Sequence, residues 1–354
     1  MTKNESKPQQ QGRRVTIVDV AREAGVGIST VSNALAGKDI VRLKTRNKVI
    51  KAAERLGYRA SPLAQALRSR RTMAIGVLVA DVANPSYPDF VRGIEDVALR
   101  EGCTLLLCNT DGDEERQLEQ MQSLIDRQVD GMVLLSPHCE SDRVRELLGK
   151  GVPYVLVQRR SERYDDNYVG GDNEAGIRAA VEHLAELGHR RIAFVCGPAA
   201  SSAVAERLAA YRNAVKRLKL DHAEDLVLAN DYGIDAGHVA GAHFLGMKNP
   251  PTAIIASNDM NALGILDVAA ERGLSVPQDL SVIGYDDIAL ARLERINLTT
   301  IRLPKREMGA AAAEALMELI SKEAGARLPR RTLFPTSLVV RKSTGPLKRS
   351  SRER

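Results

Sequence analysis

Side chains suited to holding a polar molecule follow one apolar run after another. Asp81, Asn84, Ser86 and Tyr87 come after the run 74–80, and Gln158 and Arg159 after the run 154–157. Asp172 and Asn173 follow Val169, while Gly197-Pro198 and, further on, Arg207 follow Cys196. Asp231-Tyr232, Ser257-Asn258-Asp259 and Tyr285-Asp286-Asp287 repeat the arrangement. Asn, Asp and Arg supply directional hydrogen bonds and tyrosine a face for stacking, which together suit a polyhydroxylated or otherwise polar small ligand. Asp172 and Asp259 stand where capping the following helix is as natural a task as touching a ligand. Catalytic groupings do not show: there is no G-x-S-x-G elbow, no P-loop and no G-x-G-x-x-G after a strand. Cys103, Cys108, Cys139 and Cys196 form no C-x-x-C pair, and His238 and His243 would not share a helix face. Neither a metal nor another cofactor is expected, and the thiols read as buried in a reducing cytoplasm.

The elements that must position these residues alternate. Apolar strand-like runs at 74–80, 104–108, 131–135 and 154–157 are separated by amphipathic helical stretches around 90–100, 117–126 and 142–148. The beat restarts near Tyr168 and continues through 192–196, 226–228, 253–256 and 282–285, again with helices between. Continuous apolar strands alternating with helices predict an α/β protein of parallel sheets covered on both faces. Two such lobes would face each other, and ligands of parallel sheets bind at the carboxyl ends of the strands. The expected lobes are 73–168 plus 299–328 and 169–298 plus 329–342, within a core of 72–342.

Charge divides the chain differently. Of 354 residues, 44% are hydrophobic and 27% charged, which excludes disorder along the whole length, and no run of eighteen apolar residues predicts a membrane span. Residues 1–71 hold 16 Lys and Arg against 5 Asp and Glu, whereas residues 72–340 hold 29 against 39, and the last fourteen hold 6 against 1. A basic head on an acidic body points to a polyanion as partner of the head. Residues 1–14 carry no periodicity and no apolar segment, so a disordered basic tail is expected there rather than a secretory leader.

The head reads as three short helices. Thr16 three residues before Asp19 resembles a capping box, with Val20, Ala21 and Ala24 turned inward and Gly25 as a break. A second helix from Ile28 to about Leu35 and a third over about 44–56, closed by Gly57, complete a helix-turn-helix arrangement over 15–60. Ser61-Pro62 then starts a helix over 61–71 that is too short to be stable alone and carries Leu63, Ala64 and Leu67 ahead of three arginines.

The text of the head, from Val15-Thr16-Ile17-Val18-Asp19-Val20-Ala21 through Thr30-Val31-Ser32, Thr45-Arg46 and Leu56-Gly57-Tyr58, resembles the DNA-binding head of the lactose-repressor (LacI/GalR) family. The resemblance continues in Asn84-Pro85, Val129-Asp130-Gly131, Leu187-Gly188-His189-Arg190-Arg191-Ile192, Ser257-Asn258-Asp259, Ser281-Val282-Ile283-Gly284-Tyr285-Asp286 and Leu298-Thr299-Thr300-Ile301. It implies that Ile28, Ser29 and Asn33 read base edges, with Thr16, Thr30 and Ser32 in the same DNA-facing set. It also implies that helix 61–71 is a hinge helix which pairs across a dimer, Ala64 and Leu67 entering the minor groove with Leu67 as a wedge between base steps. Gly27 and Arg42 depart from the family's usual serine caps; Arg42 adds a phosphate contact instead. In the core the resemblance implies a fold similar to periplasmic sugar-binding proteins. Arg207, Asn258 and Asp286 would bond an effector, Tyr232 would stack on it, and Ser86, Tyr87, Gln158 and Arg159 would complete the site.

The expected protein is thus a cytoplasmic, non-enzymatic transcription regulator, most simply a repressor. It would bind a pseudo-palindromic operator in double-stranded DNA as a homodimer, under control of a sugar-like effector. A sugar receptor without DNA function and an α/β enzyme are the alternatives. The segment 343–354 has a Gly-Pro break and no heptad seam, so it is expected to be a disordered basic tail without a coiled coil.

Overall fold

The computed structural model describes residues 15–35, 39–58, 71–135, 138–199, 201–321 and 329–347. The chain divides into two compact units, Met1–Thr72 and Met73–Arg354.

The first unit contains α1 (Ile17–Ala24), α2 (Ile28–Leu35) and α3 (Leu43–Leu56). At the start of α1 the Asp19 carboxylate accepts from the Thr16 N–H at 2.9 Å and from its hydroxyl at 2.7 Å. This places negative charge at the positive end of the helix. Gly25 ends α1 in the left-handed region (φ 60°), where a Cβ would be strained, and Val26 N–H returns to the Ala21 carbonyl. The tight turn lets α2 start at once. Val20, Ala21, Ala24, Val31, Ala34, Val41, Val49, Ala52 and Ala53 form the core. The expected hinge positions Ala64 and Leu67, the tail 1–14 and residues 348–354 lie outside the described residues.

The second unit is α/β, as its alternating pattern requires. Its first part runs β1 (Ala74–Val79), α4 (Tyr87–Arg100), β2 (Thr104–Asn109), α5 (Glu114–Asp126), β3 (Gly131–Leu135), α6 (Asp142–Leu148), β4 (Tyr154–Val157) and β5 (Tyr168–Gly171). The chain then builds α7 (Asn173–Glu186), β6 (Ile192–Cys196), α8 (Ser202–Arg217), β7 (Val227–Ala229), α9 (Ile234–Leu245), β8 (Ala253–Ile255), α10 (Asp259–Glu271), β9 (Ser281–Asp286) and β10 (Thr299–Arg302). Last come α11 (Lys305–Ile320), β11 (Arg331–Phe334) and β12 (Ser337–Val339). The first sheet has the order β11-β5-β4-β3-β1-β2 and is parallel throughout. The second has the order β12-β10-β9-β8-β6-β7, with only β12 antiparallel. Central strands such as β3 and β6 are buried at every residue, the signature of a sheet covered on both sides.

The expected lobe boundaries need correcting. Residues 299–302 pair with β9 and belong to the second sheet, whereas 331–334 pair with β5 and belong to the first, which also holds all of 168–171. The chain therefore passes between lobes after β5, after β10 and after β11. Strand β11 alternates exposed and half-buried residues, so no apolar run marks it in the sequence.

The expected tail 343–354 needs correcting as well, since its first residues are built into the core. The Ser343 hydroxyl donates to the Val282 carbonyl at 2.6 Å and accepts the Thr299 N–H at 2.7 Å, and Leu347 N–H donates to the Leu187 carbonyl at 3.0 Å. Hydroxyls and backbone groups make this docking, with little apolar burial, and that is why hydrophobic patterning does not show it.

His189 anchors the same segment. Its Nε2 lies 3.1 Å from the Gly345 carbonyl and 3.0 Å from the Ser281 hydroxyl, with Nδ1 2.9 Å from that of Thr252. Burial holds its pKa below the ordinary value, and that of His183 likewise. The unfolded chain takes up these protons near the usual imidazole pKa of about 6.5 while the folded chain resists them. The two imidazoles should thus cost the core stability as pH is lowered from 7.5 to 5.5, against a gain from Asp259, whose carboxyl burial pushes up to about 8. His189→Gln should therefore tilt the net slope toward greater stability at the lower pH. Urea denaturation at both pH values checks it; an unchanged slope in the variant would remove His189 from the account.

Candidate functional site

The residues after the strand ends meet in one cleft between the lobes. Ser86, Tyr87, Gln158 and Arg159 come from the first lobe, and Arg207, Tyr232, Asn258 and Asp286 from the second; Asn84 and Phe90 complete the lining. The side chains leave a volume of about 40 Å³, little more than the roughly 30 Å³ share of one water.

On the second lobe, α8 presents Arg207, which is buried. Its Nε donates to Asn173 Oδ1 and its Nη1 to the Ser257 carbonyl, both at 2.9 Å, and its guanidinium lies 3.5 Å from the centre of the Tyr285 ring. The Tyr285 hydroxyl donates to the same Asn173 oxygen at 2.8 Å. The Asn173 amide donates to Glu206, which also accepts from Arg160 Nε of the first lobe, and Arg160 N–H donates to the Ser202 hydroxyl. Asn258 caps α10 with its oxygen, accepting from Asn261 N–H at 2.8 Å, which leaves its amide donors to the cleft. Tyr232 packs against Gly197, where a Cβ would fall 2.5 Å from the ring.

Asp286 ends β9 with φ 111°, and Gln158 follows β4 with φ 65°; both conformations are strained for side-chain-bearing residues and occur where the cleft needs side chains turned inward. Burial pushes the Asp286 carboxyl above its usual pKa, opposed by Lys305, Arg207 and a hydrogen bond from Ser86. Lys305 itself donates to the Asp286 carbonyl at 2.9 Å. Across the cleft, Arg159 is 7% exposed, with Nη1 3.5 Å from the Tyr87 hydroxyl and 3.4 Å from the Leu135 carbonyl. Burial raises the Tyr87 phenol above its usual pKa, and Arg159 opposes that shift.

Other polar candidates serve the frame. Asp172 caps α7 by accepting from Ala175 N–H at 2.9 Å. Asp259 accepts from Ile288 N–H at 2.8 Å and from the Thr300 hydroxyl at 2.5 Å, and burial pushes its carboxyl up to about 8. Asp81 and Asp231 hold their own turns, and Asp287 gathers Arg292, Arg302 and Arg341. Phe90 was not singled out by sequence: it sits in the apolar stripe of α4, where a lining residue and a core residue look alike. Asn173 was a candidate by position, but nothing in the sequence shows that it serves Arg207. The cysteines are free, Cys103, Cys139 and Cys196 buried and Cys108 half-buried, and no metal-binding cluster occurs among the described residues.

In the helical head, Val31 and Ala34 of α2 face the core. Ile28, 49% exposed, and Ser29 project at its start, with Thr30, Ser32 and Asn33 half-buried beside them. An apolar side chain so exposed on the first turn of a helix fits contact with a thymine methyl. Thr16 and Arg42 are exposed at the starts of α1 and α3, and Arg42 caps nothing with its side chain.

A helix-turn-helix head and a two-lobed core with a polar cleft define a DNA-binding regulator controlled by a small molecule. Residues 16–61 match the family described as bacterial regulatory proteins, lacI family, and residues 181–344 match the periplasmic binding protein-like domain. Catabolite control protein A of Priestia megaterium is 35% identical over 328 residues, covering 91% of this chain and 99% of its own. The structure of the lac repressor dimer bound to operator and the anti-inducer ONPF superposes with a TM-score of 0.84 at 29% identity, over 94% of this chain and 100% of that one. The complex of the transcriptional regulator CelR with cellobiose gives a TM-score of 0.72 at 33% identity, over 93% and 100%. The chain belongs to the lacI family of bacterial regulatory proteins. It is a transcriptional regulator and not an enzyme.

Asn173 is the testable keystone of the second-lobe wall. Asn173→Ala would leave Arg207 Nε, the Tyr285 hydroxyl and one Glu206 oxygen without their buried partner, at a cost of about 2–4 kcal/mol. Urea denaturation of the variant should show a loss of that order; a loss within error would mean that these groups find other partners.

Proposed function

We propose that this regulator, acting in the cytoplasm, binds a pseudo-palindromic operator as a homodimer, represses the adjoining promoter, and responds to a sugar or sugar derivative held between the lobes. The observation that carries the effector assignment is the convergence of ten polar or aromatic residues, six from the first lobe and four from the second, on one cleft. Arg207, Asn258 and Asp286 bond the ligand's polar groups, Tyr232 stacks on it, and Ser86, Tyr87, Gln158 and Arg159 close the opposite wall. Because the side chains nearly fill the cleft in this conformation, a monosaccharide enters only when the lobes part. The bound CelR–cellobiose and lac repressor–operator relatives support both halves of the reading.

In the head, Ile28, Ser29 and Asn33 face base edges, Asn33 being suited to adenine, while Thr16, Thr30, Ser32 and Arg42 position the helix on the backbone. Ala64 and Leu67 of the hinge helix enter the minor groove, where Leu67 wedges between base steps. Dimerisation uses the first lobe: β2 is an edge strand with Leu107 exposed, and Leu99 is exposed on the adjoining α4. No helix among the described residues is long and apolar enough to cross a membrane.

Selection from random duplexes by the intact protein should yield two-fold-related half-sites, and sedimentation at micromolar concentration should show a dimer. A monomer would contradict the hinge mechanism. Leu67→Ala should weaken binding to the selected duplex by about tenfold or more, with a smaller bend. Arg207→Ala or Asp286→Ala should keep operator binding but lose its change on adding metabolite extract. A variant responding at the normal extract concentration would exclude that residue from the effector site.

A further inference from the structure

The buried arginines of the core are satisfied very unequally. Arg145 makes two bonds to the Asp166 carboxylate, at 2.8 and 2.9 Å. Arg207 has two good oxygen acceptors and the face of Tyr285, and Asp286 senses its charge. Arg159 is held more weakly: its guanidinium lies 5.8 Å from the centre of the Tyr232 ring, and the Asp286 carboxylate, which senses its charge too, makes no ion pair with it. Its Nη1 contacts at 3.4 and 3.5 Å are long, they reach a neutral carbonyl and a phenol, and its Nε is buried with no acceptor. Among the described residues no carboxylate oxygen lies within 4 Å of it. A guanidinium taken out of water without a counter-ion is costly, and bidentate oxyanions are the partners that best repay it. The cost is accepted at a position where the side chain lines the ligand cleft.

The rest of the lining agrees in charge. Arg159 and Arg207 are cationic and Asp286 is the one carboxylate, acted on by Lys305, Arg207, Ser86 and, least, Arg159. The neighbours of Arg159 are Tyr87, Gln158 and Tyr232, which are neutral groups able to donate hydrogen bonds. Of the lining residues only Asp286 carries a charge that would repel an anion, and that charge is already opposed by Lys305, Arg207 and Arg159.

Resting on the reading of this cleft as the effector site, we propose that the effector is an anionic sugar derivative. Its carboxylate or phosphate docks on the free edge of Arg159, while its hydroxyl-bearing body meets Arg207, Asn258 and Asp286. The site thereby discriminates against the corresponding neutral sugar, which would bury the guanidinium without supplying the missing charge.

Calorimetric titration of the intact protein with matched probes tests this: glucuronate against glucose, galacturonate against galactose, gluconate against sorbitol, and glucose 6-phosphate and ribose 5-phosphate against their parent sugars. The charged member of at least one pair should bind at micromolar to millimolar concentration, its neutral counterpart about 100-fold more weakly. The acid and phosphate arms separate a carboxylate from a phosphate. Arg159→Gln should shrink the difference to a few-fold, whereas Arg159→Lys, which keeps the charge but loses the fork, should retain part of it; melting curves of both variants verify folding. The proposal is overturned by a neutral sugar binding as tightly as its acid, by anion binding indifferent to Arg159→Gln, or by no charged probe binding at all. Neutral-sugar binding that Asp286→Ala abolishes and Arg159→Gln spares would leave the effector site standing and remove only the oxyanion.

Discussion

Arg207 can be buried between two lobes because three groups receive its guanidinium together: the Asn173 side-chain oxygen, the Ser257 carbonyl and the ring of Tyr285. Much of the cleft depends on that arrangement. Asn173 is the first residue of α7, placed by the crossover that leaves β5 and fixed by the Asp172 cap. Its amide continues to Glu206, and Glu206 continues to Arg160 on the other lobe. One contact that joins the lobes therefore runs through the side chains that stand behind the ligand wall. A ligand that competes for Arg207 acts on the balance between lobe arrangements, by as much as its affinities for them differ.

Parallel topology explains why the site lies where it does. Within each sheet every strand except β12 points its carboxyl end the same way, so the segments after the strands are the ones left free to carry polar groups. Gln158 and Asp286 depart from ordinary backbone conformation immediately after β4 and β9, and Asp287 does the same with φ 51°. Each such conformation costs on the order of 1–3 kcal/mol and persists because β4 and β9, which lead into them, are buried at all but one residue each. The strands give the rigidity, and their ends give the chemistry.

The sequence announces this plan unevenly. The buried runs 131–135, 154–157 and 192–196 emerge with the same limits in the fold, because a fully covered parallel strand must be apolar at every position. The eight cleft residues were legible only through the family resemblance. Position after an apolar run does not separate them from Asp81, Asp172, Asp231, Asp259 and Asp287, which stand in the same places and hold turns, a cap, neighbouring segments or arginines, and Arg207 lies within α8. Phe90 was illegible, since its helix stripe would be apolar with or without a ligand. The lobe membership of 299–302 and 331–334 was also illegible, because strand pairing across a crossover depends on contacts far apart in sequence. The docking of 343–347 escaped for want of hydrophobic pattern: Ser343, Thr344 and Gly345 are held by hydroxyl, imidazole and backbone partners. Asp259 looked like a ligand or a cap and is neither, its carboxyl tying β10 and the segment after β9 to α10.

The central claim is that the cleft and the DNA-binding head are thermodynamically linked. The direct measurement is a pair of titrations with the intact protein: operator affinity with and without saturating effector, and effector affinity with and without saturating operator. Linkage requires both ratios to be the same, and a working regulator should show a change of roughly 5- to 150-fold. Equal factors in that range, of either sign, are the predicted result. Operator affinity that is the same with the cleft filled or free would contradict the account.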